Sequence, residues 1–149
     1  MSIEKTKAND VVASGLIAGA RPTDGMTALG YFTLECYDKD GNLKWKAENH
    51  NLVVNVGLQY MCSTGLTNGT QITTWYVGLY GAGASNTPAA SDTMSSHAGW
   101  TEVVPYSNAT RPTCTFVTAT TANPSVATNS ASPASFSINA TATVGGAFL

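Results

Sequence analysis

Tyr31-Phe-Thr-Leu-Glu-Cys-Tyr-Asp-Lys-Asp-Gly-Asn-Leu-Lys-Trp-Lys-Ala-Glu48 carries the clearest secondary-structure signal in the chain. Phe32, Leu34 and Cys36 fall on one side of an extended segment, and Tyr31, Thr33, Glu35 and Tyr37 on the other; that period of two is the mark of a half-buried strand. Asp38-Lys-Asp-Gly-Asn42 follows as a turn, its short side chains suited to bonding local backbone and Gly41 to positive φ. In the answering run, Leu43, Trp45 and Ala47 alternate with Lys44, Lys46 and Glu48. The lysines can therefore face Glu35 across an antiparallel pair. This hairpin sets an all-β expectation for the rest.

Working outward, His50-Asn-Leu-Val-Val-Asn-Val-Gly-Leu-Gln-Tyr changes period. Asn55 can serve as an N-cap, and Val56, Tyr60 and Met61 mark a short helix ending near Gly65. Residues 71–80, Gln-Ile-Thr-Thr-Trp-Tyr-Val-Gly-Leu-Tyr, read as a central strand in which Gly78 admits another backbone. A Gly-Ala-rich loop follows over 81–90; it lacks both the spacing and the lysine of a phosphate loop. Residues 113–120 and 134–143 alternate as strands, the latter with Phe136 and Ile138 on one face. Val144-Gly-Gly-Ala-Phe-Leu149 is expected either to tuck into the sheet or to precede a missing last strand. Short strands, one helix and long Ser/Thr/Gly/Pro connections imply an antiparallel β-sandwich of jelly-roll type over residues 29–149.

Residues 1–28 read as an extended N-terminal arm. Val11, Val12, Leu16 and Ile17 are apolar, but Gly15, Gly19 and Pro22 interrupt any regular element. An apolar arm left in water is a liability, so it is expected to lie against a neighbouring subunit or over its own sheet.

Residues 92–112, Asp-Thr-Met-Ser-Ser-His-Ala-Gly-Trp-Thr-Glu-Val-Val-Pro-Tyr-Ser-Asn-Ala-Thr-Arg-Pro, gather large, specific side chains within plain surroundings. The stretch reads as a helical turn capped by Asp92, an extended run from Trp100 to Tyr106, and a closing turn. It is either the packing pin of a small-residue fold or the contact surface for a partner.

Composition narrows the function. Charged residues make up 11% of the 149 residues, against roughly 25% in ordinary soluble domains. A surface of Ser, Thr, Asn, Ala and Gly suits a chain held against other chains. A net charge of −2 supplies no basic stripe for nucleic acid. No apolar run approaches the roughly 20 residues that span a bilayer, and Met1 to Asp10 has no signal-peptide pattern, which gives the expectation of synthesis in the cytoplasm and no membrane partner. Cys36, Cys62 and Cys114 are too far apart for a zinc or redox motif and are expected as buried thiols. The sequons at Asn68, Asn108 and Asn139 arise by composition.

Chemistry is hard to find. His50 has Glu48 nearby in sequence, and His97 has Asp92 and Glu102, but no Gly-x-Ser-x-Gly elbow frames a nucleophile. Asp38, Asp40 and Asn42 resemble a calcium loop without its distal glutamate. Carboxylates for glycoside hydrolysis exist at Asp24, Glu35, Glu48, Asp92 and Glu102, each with a solvated-face explanation. Trp100 and Tyr106 could stack on a sugar only if residues 100–106 stay regular. The expectation is no enzyme, no cofactor and no metal.

The segment His50-Asn-Leu-Val-Val-Asn with Gly57-Leu58, Trp75-Tyr-Val-Gly-Leu-Tyr80, residues 92–102, Tyr106 and Thr110-Arg-Pro112 together resemble tailed-bacteriophage virion structural proteins. Phe136-Ser-Ile-Asn and the segment 144–149 continue the likeness, which covers residues 30–149. Within that group the chain is most similar to the capsid cement or decoration proteins of short-tailed phages, whose jelly-roll dimers clamp neighbouring capsid subunits. The resemblance implies a non-catalytic protein of the virion surface that binds the major capsid protein and forms a homodimer or other homo-oligomer. Members run on into a further Gly-Asp-containing β segment, so the last strand is expected to be missing or supplied by a partner. The expected contact residues are Val11, Val12, Leu16, Ile17 and Arg21 in the arm, with His97, Trp100, Glu102, Tyr106 and Arg111. Competing expectations are a neck, tail or fibre component, a carbohydrate-binding module for host attachment and, third, a hydrolase.

Overall fold

The computed structural model describes residues 28–81 and 87–149. These residues are strand-rich, with antiparallel pairings throughout and one helix. The arm lies outside the described residues except for Ala28, as does most of the Gly-Ala loop.

The hairpin forms as its alternation requires. Strand β1, Tyr31–Tyr37, pairs antiparallel with β2, Leu43–His50, placing Leu34 opposite Ala47, Glu35 opposite Lys46 and Cys36 opposite Trp45. Strand β2 runs on to His50, beyond the expected end at Glu48. The turn is held by Asp38, whose Oδ1 accepts the backbone N–H groups of Asp40 and Asn42, both at 2.9 Å. Gly41 takes the left-handed φ of 84°, which a side chain would oppose. Across the strands, Lys46 lies 3.2 Å from Glu35 and 3.6 Å from Glu48, and the Tyr37 hydroxyl donates to Glu35 at 2.6 Å.

These bonds favour the ionised carboxylates. The Tyr37 hydroxyl, then Lys46, hold Glu35 below its ordinary range, and the amides of Asn42 do the same for Asp38. A carboxyl depressed in the folded state contributes stability that is present above its unfolded pKa and is lost as pH falls through the folded one. The hairpin should therefore loosen only below the ordinary carboxylate range. An NMR titration of the Glu35 and Asp38 carboxyl carbons is expected to show midpoints below those of unpaired carboxylates; ordinary midpoints would mean that these bonds do not persist in solution.

Helix α1, Asn55–Leu66, starts one residue earlier than expected. Val54 occupies the N-cap position with no side-chain bond, and the Asn55 N–H is taken by the Ala90 carbonyl at 2.8 Å. Asn55 is thus the first helical residue rather than the cap. The helix ends where Thr67 and Gly69 both donate to the Ser63 carbonyl, with Asn68 left-handed at φ 59°. Of the expected face, Tyr60 packs edge-on against Trp75 at 5.6 Å, while Val56 and Met61 stay exposed.

The single strand expected over 71–80 is two. Strand β3, Trp75–Tyr76, pairs with β6, Thr113–Cys114. Strand β4, Gly78–Gly81, lies between β5, Thr101–Val103, and β7, Gly146–Phe148. The break falls after Val77, which is still in register with Pro112: its N–H donates to the Pro112 carbonyl at 2.9 Å, but proline has no N–H to return and the β3–β6 ladder ends there. A Cβ on Gly78 would run into the Phe148 ring, so the close approach belongs to a side chain rather than to another backbone. The C-terminal segment tucks into the sheet as β7.

Two expected strands are much shorter. Of 113–120 only Thr113–Cys114 is strand, and 134–143 contributes an isolated bridge between Tyr106 and Ile138. The described sheets hold two, two and three strands and do not close on one another. Their buried apolar core is Val77, Leu79, Trp100, Val103 and Cys114.

Candidate functional site

Trp100 is the residue on which the aromatic cluster of the three-stranded sheet is built. It is 8% exposed and sits just before β5, where Thr101 opposite Gly81 begins the pairing with β4. Its ring meets Phe148 of β7 at 5.0 Å and Tyr80 of β4 at 5.8 Å between centroids. The His97 imidazole lies on it at 3.9 Å and 19°. Tilted and offset ring pairs of this kind add roughly 0.5–1.5 kcal/mol each beyond area burial.

A buried indole needs an acceptor, and Asp92 provides it. Its Oδ2 accepts from Trp100 Nε1 at 3.0 Å and from the Ala89 N–H at 2.8 Å. Asp92 is therefore not the cap of a helical turn. Thr93 and Ser96 instead exchange backbone hydrogen bonds of 3.0 and 3.1 Å around a tight two-residue turn. His97 is fixed in the same way: its Nδ1 donates to the Trp100 carbonyl at 3.1 Å, because a carbonyl oxygen can only accept. Asp92 and His97 thus both spend their polar atoms on Trp100 and its neighbours rather than on each other.

The remaining sequence candidates separate into two places. Glu102 and Arg111 form a bidentate pair, Nε to Oε1 and Nη2 to Oε2 both at 2.7 Å, and the guanidinium lies 5.3 Å from the centroid of the Phe148 ring. The hydrogen bonds to Glu102 raise the guanidinium above its ordinary pKa. Tyr106 belongs elsewhere, packed edge-on against Phe136 at 5.2 Å and bridged to Ile138. Residues 100–106 do not stay regular, since β5 ends at Val103, and Trp100 and Tyr106 lie in different clusters. Val11, Val12, Leu16, Ile17 and Arg21 lie outside the described residues.

The sequence missed a second aromatic cluster, in which Trp75 joins Tyr60 of the helix to Phe116 at 6.5 Å. The aromatic richness of 71–80 was its only signal. Beside it Cys114 is buried, and burial raises its thiol pKa. Cys36 and Cys62 are half-buried, and all three thiols are free. Glu48 and His50 border a shallow groove with Tyr31 and Asn49. Among the described residues no three His, Cys, Asp or Glu side chains gather as a metal site, and no helix is long and apolar enough to cross a membrane. The Asp38 carboxylate of the calcium-like loop is engaged by local amides.

What this arrangement does best is hold three strands and a loop together around one indole, with a charged pair at its margin. Compared with protein-family models, with curated proteins and with solved structures, the chain matches none.

Proposed function

We propose that the chain is a bacteriophage capsid cement or decoration protein, binding the outside of the major capsid protein lattice and stabilising the shell without catalysis. The observation that carries this reading is the poverty of the described core beside the apolar surface around it. Among the described residues five apolar side chains are buried and none is less than 2% exposed, while Leu29, Tyr31, Leu66 and Val104 are each more than 60% exposed. With 11% charged residues, little separates that surface from association. A subunit that completes its burial on a shell has this character; a free enzyme normally closes its core by itself.

In this reading the short sheets belong to an antiparallel sandwich of jelly-roll type. The mechanism is passive. Each copy bridges adjacent capsomers, and apolar area buried in that bridge favours the assembled shell by mass action and multivalency. A specific contact of this kind buries about 800 Å² per partner. The contacts come from the arm, through Val11, Val12, Leu16, Ile17 and Arg21, and from the 92–112 segment. There His97, Glu102, Tyr106 and Arg111 retain exposed surface, and buried Trp100 acts as support beneath His97.

Deleting residues 2–20 tests this division of labour. Co-sedimentation with expanded shells should fall to background while the near-ultraviolet circular dichroism from Trp100 and Trp75 is preserved. Full retention of shell binding would contradict the arm's role. Binding to a glycan array that Tyr106→Ala abolishes, with no shell binding, would replace this reading with host attachment.

A further inference from the structure

The outer edge of β2 is unpaired among the described residues. Among the described residues β1 and β2 form a two-stranded sheet that nears the rest of the fold at β7, and a hairpin with so little support is marginal in water. The backbone shows which groups are unused. Asn51 donates to the Gly30 carbonyl at 3.0 Å, making 30 and 51 a hydrogen-bonded pair. Alternation along the ladder then makes 32/49 and 34/47 hydrogen-bonded pairs too. Lys46, Glu48 and His50 therefore turn their N–H and C=O groups away from β1.

Charged edges normally repel a second strand, but this one carries both signs in a symmetric order. Turned antiparallel about Ala47, β2 places Lys46 opposite Glu48 of a second copy and Glu48 opposite that copy's Lys46. Ala47 meets Ala47, and Trp45 meets Asn49. Sliding the register by two, so that Lys46 meets Lys46, sets like charges face to face, which disfavours it. Pairing about Ala47 also joins two apolar hairpin faces, each with Phe32, Leu34, Cys36 and a Trp45 that is 42% exposed.

We infer that the chain forms a homodimer through the outer edge of β2, giving a four-stranded antiparallel sheet with a two-fold axis at Ala47. This rests on the hairpin and not on the virion reading: a chain monomeric in solution yet bound to shells would refute the pairing alone, and a β2-linked dimer absent from virions would refute only the shell.

The experiment is sedimentation equilibrium on the full chain and on Glu48→Pro. Proline removes an N–H that points away from β1, so the hairpin keeps its own bonds while the edge is blocked. The native chain is expected at twice the monomer mass, and Glu48→Pro should weaken association about tenfold or more, a change of about 1.4 kcal/mol. Cross-strand NMR contacts between Glu35 and Lys46 should survive in the variant. If they are lost, Ala47→Cys decides. Its two copies face each other across a close non-hydrogen-bonded pair, so mild oxidation should give a covalent dimer that Asn49→Cys does not. A monomeric native chain, a dimer indifferent to Glu48→Pro with the hairpin intact, or no cross-link from Ala47→Cys would overturn the inference.

Discussion

Replacing Trp100 by Ala is expected to lower the stability of the fold by about 3–5 kcal/mol, the range for deleting a large buried aromatic. Three losses combine. The indole leaves a cavity between Tyr80, His97 and Phe148; Asp92 loses one of the two donors on its Oδ2; and His97 loses the surface on which it stacks. Trp100→Phe separates these effects. It keeps a ring against Phe148 but removes the indole N–H, so its cost should be the smaller, roughly the 1–3 kcal/mol of one lost hydrogen bond to a carboxylate. Urea unfolding followed by circular dichroism checks both. A Trp100→Ala midpoint equal to that of the native chain would mean that the sheet is not organised around this residue.

Gly99→Ala should be nearly as damaging, although it adds one methyl group. A Cβ at this position would overlap the Thr87 carbonyl oxygen, which is backbone and cannot rotate aside. Thr87 also donates its N–H to the Gly99 carbonyl at 2.9 Å, so relieving the clash breaks a bond that holds the loop before Asp92 against the turn before Trp100. A cost of about 2–3 kcal/mol is expected, in the range of overpacking. The same urea titration measures it. A neutral result would show that the 87–92 loop does not lie against Gly99 in solution.

Both predictions fall in the stretch that sequence analysis found densest in large side chains, and their mechanism was the part hidden from it. Asp92 is eight residues from Trp100, a separation no local periodicity reports, and its helix-capping chemistry suits an indole acceptor equally well. The hairpin was legible because its information is local: alternation, an Asp-Lys-Asp-Gly-Asn turn, and lysines placed opposite Glu35. The break in 71–80 was not, since it depends on Pro112 standing opposite Val77 without an N–H to continue the β3–β6 ladder. Residues 113–120 and 134–143 have the right alternation but are built of Ser, Thr, Ala and Asn, whose side chains compete for backbone groups. The Thr120 hydroxyl accepts the Val126 N–H at 2.9 Å, and Asn108 bonds the Ser137 N–H and the Ser135 carbonyl. A β pattern in such residues predicts extended chain better than it predicts a ladder. Asn55 shows the complementary error, in that a good capping residue entered the helix because a tertiary carbonyl, that of Ala90, was available to its N–H.

The thin described core and the apolar exterior are two sides of one property, and the proposed function ties both to assembly. Quantitative mass spectrometry of purified virions, giving the molar ratio of this chain to the major capsid protein, tests that most directly. The expected ratio is one or a simple fraction of one, as lattice-wide decoration requires. A handful of copies per particle would place the chain in the neck or tail instead, and its absence from virions would contradict the structural reading altogether.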